Sequence, residues 1–285
     1  MILVAITPEM ANIDASYSNI NPLIQPIILE NKEENRQSYL CSLIIPAYNE
    51  EKRIRPFLEE LKTKLPLDWE VIIVCDGTDK TAEIARKIDD RFRVLSFSKR
   101  LGKGGATKKG FIAATGEIIG YVDADGAIPW ESIQKVFEVV IKGEMAAVGS
   151  RWMKNSNVVV SQPILRVVLG RIYHYFTILF LRINTKDTQC GLKVYKKEVV
   201  HKILKNITIN NLSFDTAFLY HTKKAGYGIA EIPIIWKDMD GSKISPVKTS
   251  FIMFLTLIGI RFAHSKFSKK VFLFIKNNYK TFGYL

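Results

Sequence analysis

Cysteine is scarce. Cys41, Cys75 and Cys190 are the only three in 285 residues, an odd number set far apart. That spacing excludes a disulfide framework and a cysteine-bound zinc module, and it predicts reduced thiols and an intracellular active face. Histidine is sparse as well: His174, His201, His221 and His264 form no two-histidine metal motif. The opening run Met1-Ile-Leu-Val-Ala-Ile6 is too short and lacks the basic start of a secretory signal. No charge-free apolar stretch reaches the ~20 residues of a spanning helix. Two come close, 164–183 and 251–263. Acid is also in short supply. Lysine and arginine outnumber aspartate and glutamate 41 to 28, for a formal charge of +13. Such an excess favours anionic partners, whether nucleic acid, lipid headgroups or phosphorylated substrates.

What is present begins after residue 38. Residues 1–38 mix Asn, Ser, Pro and charge without periodicity and read as a tail. A core domain is expected over 39–246 and membrane-associated helices over 247–285. Short apolar runs at 40–47, 69–74, 92–97, 117–122 and 145–149 read as strands. Between them, helical spacing predicts helices over 50–65, 78–88, 102–114 and 130–141. This alternation argues for an α/β fold with a mostly parallel sheet, whose ligands bind beyond the carboxyl ends of the strands. After residue 151 the alternation weakens. A long helix is predicted over 164–183, with Arg166, Gly170, His174 and Thr177 as a narrow polar stripe on a greasy surface. A strand and helix follow over 191–204, a helix over 215–224 and a strand over 229–236. There is no internal repeat.

The strongest chemical signal is Val122-Asp123-Ala124-Asp125-Gly126 at the end of an apolar strand. Two carboxylates one residue apart repel unless a cation lies between them. Magnesium or manganese takes one or two carboxylates and completes its shell with substrate phosphates. A solvated acidic turn is the alternative. Arg100-Leu-Gly-Lys-Gly-Gly-Ala106 is a glycine-rich turn before a helix. Free N–H groups there, with Lys103 and Gly104, could hold a diphosphate. Its spacing is not that of a P-loop, and a flexible basic loop remains open.

Ile45-Pro-Ala-Tyr-Asn-Glu-Glu51, Asp76-Gly-Thr78, Gly102-Lys-Gly-Gly-Ala106, Asp123-Ala-Asp-Gly-Ala127, Gly149-Ser-Arg151, Asp187-Thr-Gln-Cys-Gly191, Phe214-Asp215 and Gly241-Ser-Lys243 follow one another in this order. Together they resemble the dolichyl-phosphate β-glucosyltransferases, inverting family 2 glycosyltransferases with the Rossmann-like GT-A fold. The resemblance spans about residues 40–265. It implies that Pro46, Tyr48, Glu50 and Asp76 hold the nucleoside of a UDP-sugar. It implies that Asp123 and Asp125 bridge ribose, Mg2+ or Mn2+, and diphosphate. Arg151 and Lys243 would face phosphate groups, and Asp187, Gln189 and Asp215 would shape the sugar and acceptor pocket. The acceptor would be a polyprenyl phosphate at a membrane surface, with the catalytic domain on the cytoplasmic face. On this reading Asp187→Asn hurts less than loss of Arg151 or Lys243. Two departures stand out. The family's Asp-Asp-Gly after the second strand is Cys75-Asp76-Gly77 here, and the membrane-spanning start of eukaryotic members has no convincing counterpart.

The apolar 164–183 and C-terminal segments, interspersed with Lys and Arg, suit helices lying in a bilayer interface. Three alternatives differ in class. A polyprenyl-phosphate mannosyltransferase would use GDP-mannose. A nucleic-acid-binding protein would exploit Lys99, Arg100, Lys103, Lys108 and Lys109, but the cations are spread along the chain without a binding motif, so no nucleic-acid partner is expected. A transferase fold without activity is disfavoured by the intact acidic and basic motifs.

Overall fold

The computed structural model describes residues 39–160, 163–239 and 246–261. Residues 1–38, the Gly241-Ser-Lys243 block and 262–285 lie outside the described residues. The elements run β1 (Cys41–Ala47), α1 (Ile54–Lys64), β2 (Trp69–Cys75), α2 (Thr81–Ile88), β3 (Phe92–Ser96), α3 (Lys103–Ala113), β4 (Ile118–Tyr121), α4 (Trp130–Ile141) and β5 (Ala146–Ser150). They continue with β6 (Asn157–Val160), α5 (Ile164–Leu181), β7 (Lys193–Lys196), α6 (Lys197–Leu204), α7 (Phe214–Lys224), β8 (Ala230–Pro233), β9 (Ile235–Lys237) and α8 (Pro246–Arg261).

Seven strands form one sheet in the order β3-β2-β1-β4-β7-β5-β8. Only β7 runs against its neighbours, β4 and β5. The sheet is covered on both faces, so its central strands β1 and β2 are mostly apolar rather than alternating, with Ser42 and Glu70 as buried exceptions that hydrogen-bond to each other. Every residue of β2 is buried. Successive side chains point to opposite faces. Leu43, Ile45, Val71 and Ile73 meet α1, α2 and α4 on one side. Ile44, Ile72 and Val74 meet α3, α6 and α7 on the other. Each such aliphatic side chain contributes roughly 1.5–3 kcal/mol by leaving water. β1 and β4 end together, with Val122 N–H donating to Ile44 O, which brings Asp123 level with the chain just after β1.

Two sequence expectations change. The 229–236 strand is split at Pro233, which closes β8 at the sheet edge because proline has no N–H for the ladder. β9 then leaves to pair with β6, a strand with no counterpart in the sequence reading. The Gly102–Gly105 segment is not a free turn. Lys103, Gly104 and Gly105 already lie in α3, and Gly104 is packed so tightly that a Cβ there would sit 2.6 Å from Phe214 Cβ. The glycine serves the approach of α3 to α7.

α5 has three faces. Tyr173, Thr177 and Leu181 point inward and are buried. Leu165, Val168, Ile172, Tyr175 and Leu179 form an outer apolar stripe, with Ile164 82% and Tyr175 64% exposed. Arg166, Gly170 and His174 turn toward a cleft. α8 packs beside α5 through Phe254, 4.9 Å from Phe176. Among the described residues, α5 is the one helix long and apolar enough to cross a membrane.

Candidate active site

Two chambers open at the carboxyl ends of the strands and share Lys103, Asp123, Arg151, Arg166 and Gln189 in their walls. The first, about 230 Å³, is lined by Pro46, Tyr48, Glu50, Asp76, Arg100 and Asp125, among others. The second, about 170 Å³, includes Arg171, His174, Lys186, Asp187, Asp215 and Thr249.

In the first chamber Asp76 is buried at the end of β2. Its Oδ2 accepts from Arg100 Nη1 at 2.5 Å and from the N–H groups of Leu101 and Gly102 at 2.8 and 2.9 Å. Its Oδ1 is buried without a hydrogen-bond partner, and so is Arg100 Nε. The Arg100 guanidinium lies 3.5 Å over the ring of the exposed Tyr48. An unpaired buried acceptor costs ~1–3 kcal/mol, which a ligand N–H could recover. Glu50, also lining this chamber, is held by a two-point pair with Arg53, 2.7 Å at each contact.

Asp123 follows β4 and is half-buried. Lys103 Nζ lies 2.7 Å from Asp123 Oδ1 and 2.9 Å from Asp215 Oδ2. Burial pushes the Asp123 carboxyl above the ordinary range. Lys103 opposes this, while Asp125 and Asp215 add to it. Asp125 uses Oδ1 to accept from Ala127 N–H at 3.1 Å. Gly191 lies against Asp123, and any Cβ there would collide with the carboxylate. That contact explains a glycine at the end of the Asp187–Gly191 motif. Among the described residues no third carboxylate, histidine or cysteine completes a cluster around this pair. Two hard oxygen donors of this kind suit a Mg2+ or Mn2+ ion whose other ligands come from phosphate and water.

Arg151 lines both chambers, and its partner Asp187 lines the second. The guanidinium grips the carboxylate through Nε at 2.7 Å and Nη2 at 2.9 Å, and the Arg151 N–H adds a third bond at 3.1 Å. Burial alone would raise the Asp187 carboxyl, but the Arg151 charge and hydrogen bonds outweigh it and hold it below the usual value. Gln189 Nε2 lies 3.7 Å from Met253 Sδ. Asp215 is buried at the start of α7, with its oxygens engaged by Lys103, Tyr121 and Lys193.

The cleft thus brings together Pro46, Tyr48, Glu50, Asp76, Lys103, Asp123, Asp125, Arg151, Asp187, Gln189 and Asp215. Gly104 lines neither chamber. Its N–H and that of Gly105 donate to Asn210 O, and those of Leu101 and Gly102 to Asp76. The N–H groups of the glycine-rich cradle expected for a diphosphate are therefore already taken by the protein, and Arg100, Lys103 and Ala106 are the parts of it that line the cleft. Arg171 and Lys186 in the second chamber were not singled out from sequence. Arg166 and His174 were visible as a polar stripe, without an assigned task.

A cleft at the carboxyl edge of a mostly parallel sheet, with an Asp-x-Asp pair at its centre, defines a GT-A glycosyltransferase. The chain belongs to glycosyl transferase family 2, whose model matches residues 42–204. It is 33% identical to the dolichyl-phosphate β-glucosyltransferase of Dictyostelium discoideum, over 84% of this chain and 79% of that protein. It is 32% identical to the enzyme of the same name from Saccharomyces cerevisiae, over 82% and 78%. In fold it is similar to the crystal structure of glucosyl-3-phosphoglycerate synthase from Mycobacterium tuberculosis in complex with Mn2+, UDP and phosphoglyceric acid. The TM-score is 0.63 at 16% identity, covering 78% of each chain.

Proposed function

We propose that this glycosyltransferase moves glucose from UDP-glucose to a dolichyl or related polyprenyl phosphate, with Mg2+ or Mn2+ held by Asp123 and Asp125. The observation that carries the reading is the pair of chambers meeting at Asp123: the hydrogen-bond-accepting Asp76 on one side, Arg171 and Lys186 on the other, and Arg166 in both. The names of the two relatives support the same donor sugar and lipid. A protein of similar fold binds Mn2+ together with UDP.

Uracil presents one imide N–H, a match for the single unpaired oxygen of Asp76, while Arg100 stays on the other oxygen. Guanine would add an exocyclic amino group, for which the already saturated Oδ2 has no capacity. Asp76→Asn should therefore weaken UDP binding by about tenfold or more, the scale of a charge-assisted hydrogen bond. It should also relax discrimination against CDP, whose cytosine N3 is an acceptor. Competition by UDP, CDP and GDP checks this; stronger inhibition by GDP than by UDP in the wild type would transfer the reading to a mannosyl donor.

The attacking group would be a phosphate monoester, whose second pKa is ~6. It is largely dianionic at neutral pH, so no base has to remove a proton. A phosphate oxygen forms a bond to the sugar's anomeric carbon, and the bond from that carbon to the nucleoside diphosphate breaks, its electron pair leaving with the diphosphate. The protein's task is to hold two anions in line. Lys103 offsets charge on the donor side. Arg166, Arg171 and Lys186 do so on the acceptor side, with Arg151 between them and Lys243 as a further phosphate partner. When bound, the divalent ion neutralises charge gathering on the leaving diphosphate. The decisive experiment offers each nucleotide-sugar with a short polyprenyl phosphate and extracts labelled lipid. Glucose from UDP-glucose should appear in the lipid phase; label from another donor, or none, refutes the assignment.

A lipid acceptor calls for a membrane platform. The outer stripe of α5 and the neighbouring α8 supply apolar surface beside the cleft that Arg166 and Arg171 line. The full chain should sediment with vesicles containing anionic lipid, and Ile172→Asp with Leu179→Asp should move it to the supernatant. Equal sedimentation of the two proteins would count against this platform.

A further inference from the structure

Lys193 is wholly buried, yet nothing in the proposed reaction uses it. It stands on β7 opposite Tyr121 of β4. Its ammonium donates to Cys190 O at 2.5 Å and lies 3.6 Å from Asp215 Oδ1. Burying an ammonium costs several kcal/mol unless it is well paired, so its position calls for a physical reason. Asp215 gives that reason. Its other oxygen holds Lys103, and Lys103 in turn holds Asp123. Lys193, Asp215, Lys103 and Asp123 thus form a row of alternating charge that runs from the core to the metal-binding carboxylate and sums to zero.

The balance of this row depends on Lys193. Without it, one ammonium would serve two carboxylates. The more deeply buried of them, Asp215, has less water to fall back on and would draw Lys103 inward. We propose that Lys193 is a positioning residue: by sharing Asp215 it leaves the Lys103 ammonium at Asp123, facing the chamber where a diphosphate would lie. The inference rests on the donor reading for the identity of the anion, but not for the movement of Lys103.

The test uses Lys193→Gln, whose amide can still donate to Cys190 O, and Lys193→Met as a second neutral variant. A crystal structure without nucleotide reads the device directly. Lys103 Nζ should leave Asp123 and lie within hydrogen-bond distance of Asp215 alone; retention of both contacts overturns the proposal. Calorimetric titration with UDP and Mn2+ gives the second readout. Affinity should fall about tenfold in either variant, the scale of coupling between neighbouring charges. It should return to within about threefold of wild type on adding Asp215→Asn, which restores the charge balance. A purely structural lysine predicts a lower melting temperature, unchanged UDP affinity in the folded protein, and no rescue. Failure of the wild type to bind UDP would refute the donor reading alone, and the Lys103–Asp123 distance would still decide the role of Lys193.

Discussion

Asp125→Asn is expected to lower turnover at least ~100-fold, the scale of losing a principal electrostatic stabiliser, with little change in thermal stability. Asp125 is half-buried, and its carboxylate accepts from the backbone N–H of Ala127, two residues on, so the folded chain gives up little. On the proposed mechanism, what is lost is one of two oxygen donors to the divalent ion. Asp123→Asn should be as damaging to turnover but for two reasons, because it also removes the partner that fixes Lys103. Chelation should mimic both substitutions, and Mg2+ or Mn2+ should restore activity to the wild type alone. Full turnover in EDTA would sink the assignment.

Breaking the Arg151–Asp187 pair should be the costliest change for stability. The pair is nearly dry, with side-chain exposures of 14% and 2%, and is joined at two points. Removing one partner strands the other charge, typically at ~3–5 kcal/mol. For a domain of this size that corresponds to a fall in Tm of roughly 6–20 °C. Arg151→Ala and Asp187→Asn should therefore be destabilised to a similar degree in urea titrations. Both should also lose use of the acceptor, since this pair walls the second chamber. Sequence reasoning expects the Asp187 variant to be the milder for activity, because it assigns Asp187 to sugar positioning and Arg151 to a phosphate. Their mutual grip makes them one unit, whose removal is non-additive. An Asp187→Asn protein that melts with the wild type, or a double variant whose loss equals the sum of the two singles, would refute this coupling.

How much could be read in advance differs by element. α4 was legible to its ends because Trp130, Ile133, Val136, Phe137 and Val140 repeat with helical spacing and bury one face. β1 and β2 were legible as short, mostly apolar runs, the pattern of strands covered on both sides. β6 escaped because Asn157–Val160 is exposed at every position and pairs only with β9, 75 or more residues further on. No local pattern records such a partner. The Arg166–Gly170–His174 stripe was visible, but its meaning depended on which side of α5 would meet the cleft.

The sequence by itself determined the alternation of strands and helices up to about residue 150, the Asp123–Asp125 pair at a strand end, and the membership of family 2. These are local matters of spacing and residue type, and a chain carries them unfolded. Only the tertiary structure decided how charges are shared. Folding brings Lys103, Asp123, Lys193 and Asp215 into one row, gives Arg151 to Asp187, and uses the N–H groups around Gly104 within the protein. The reason is that the energy of a charge depends on every other charge and on the water within a few ångströms. Those neighbours lie on strands and helices far apart in the chain.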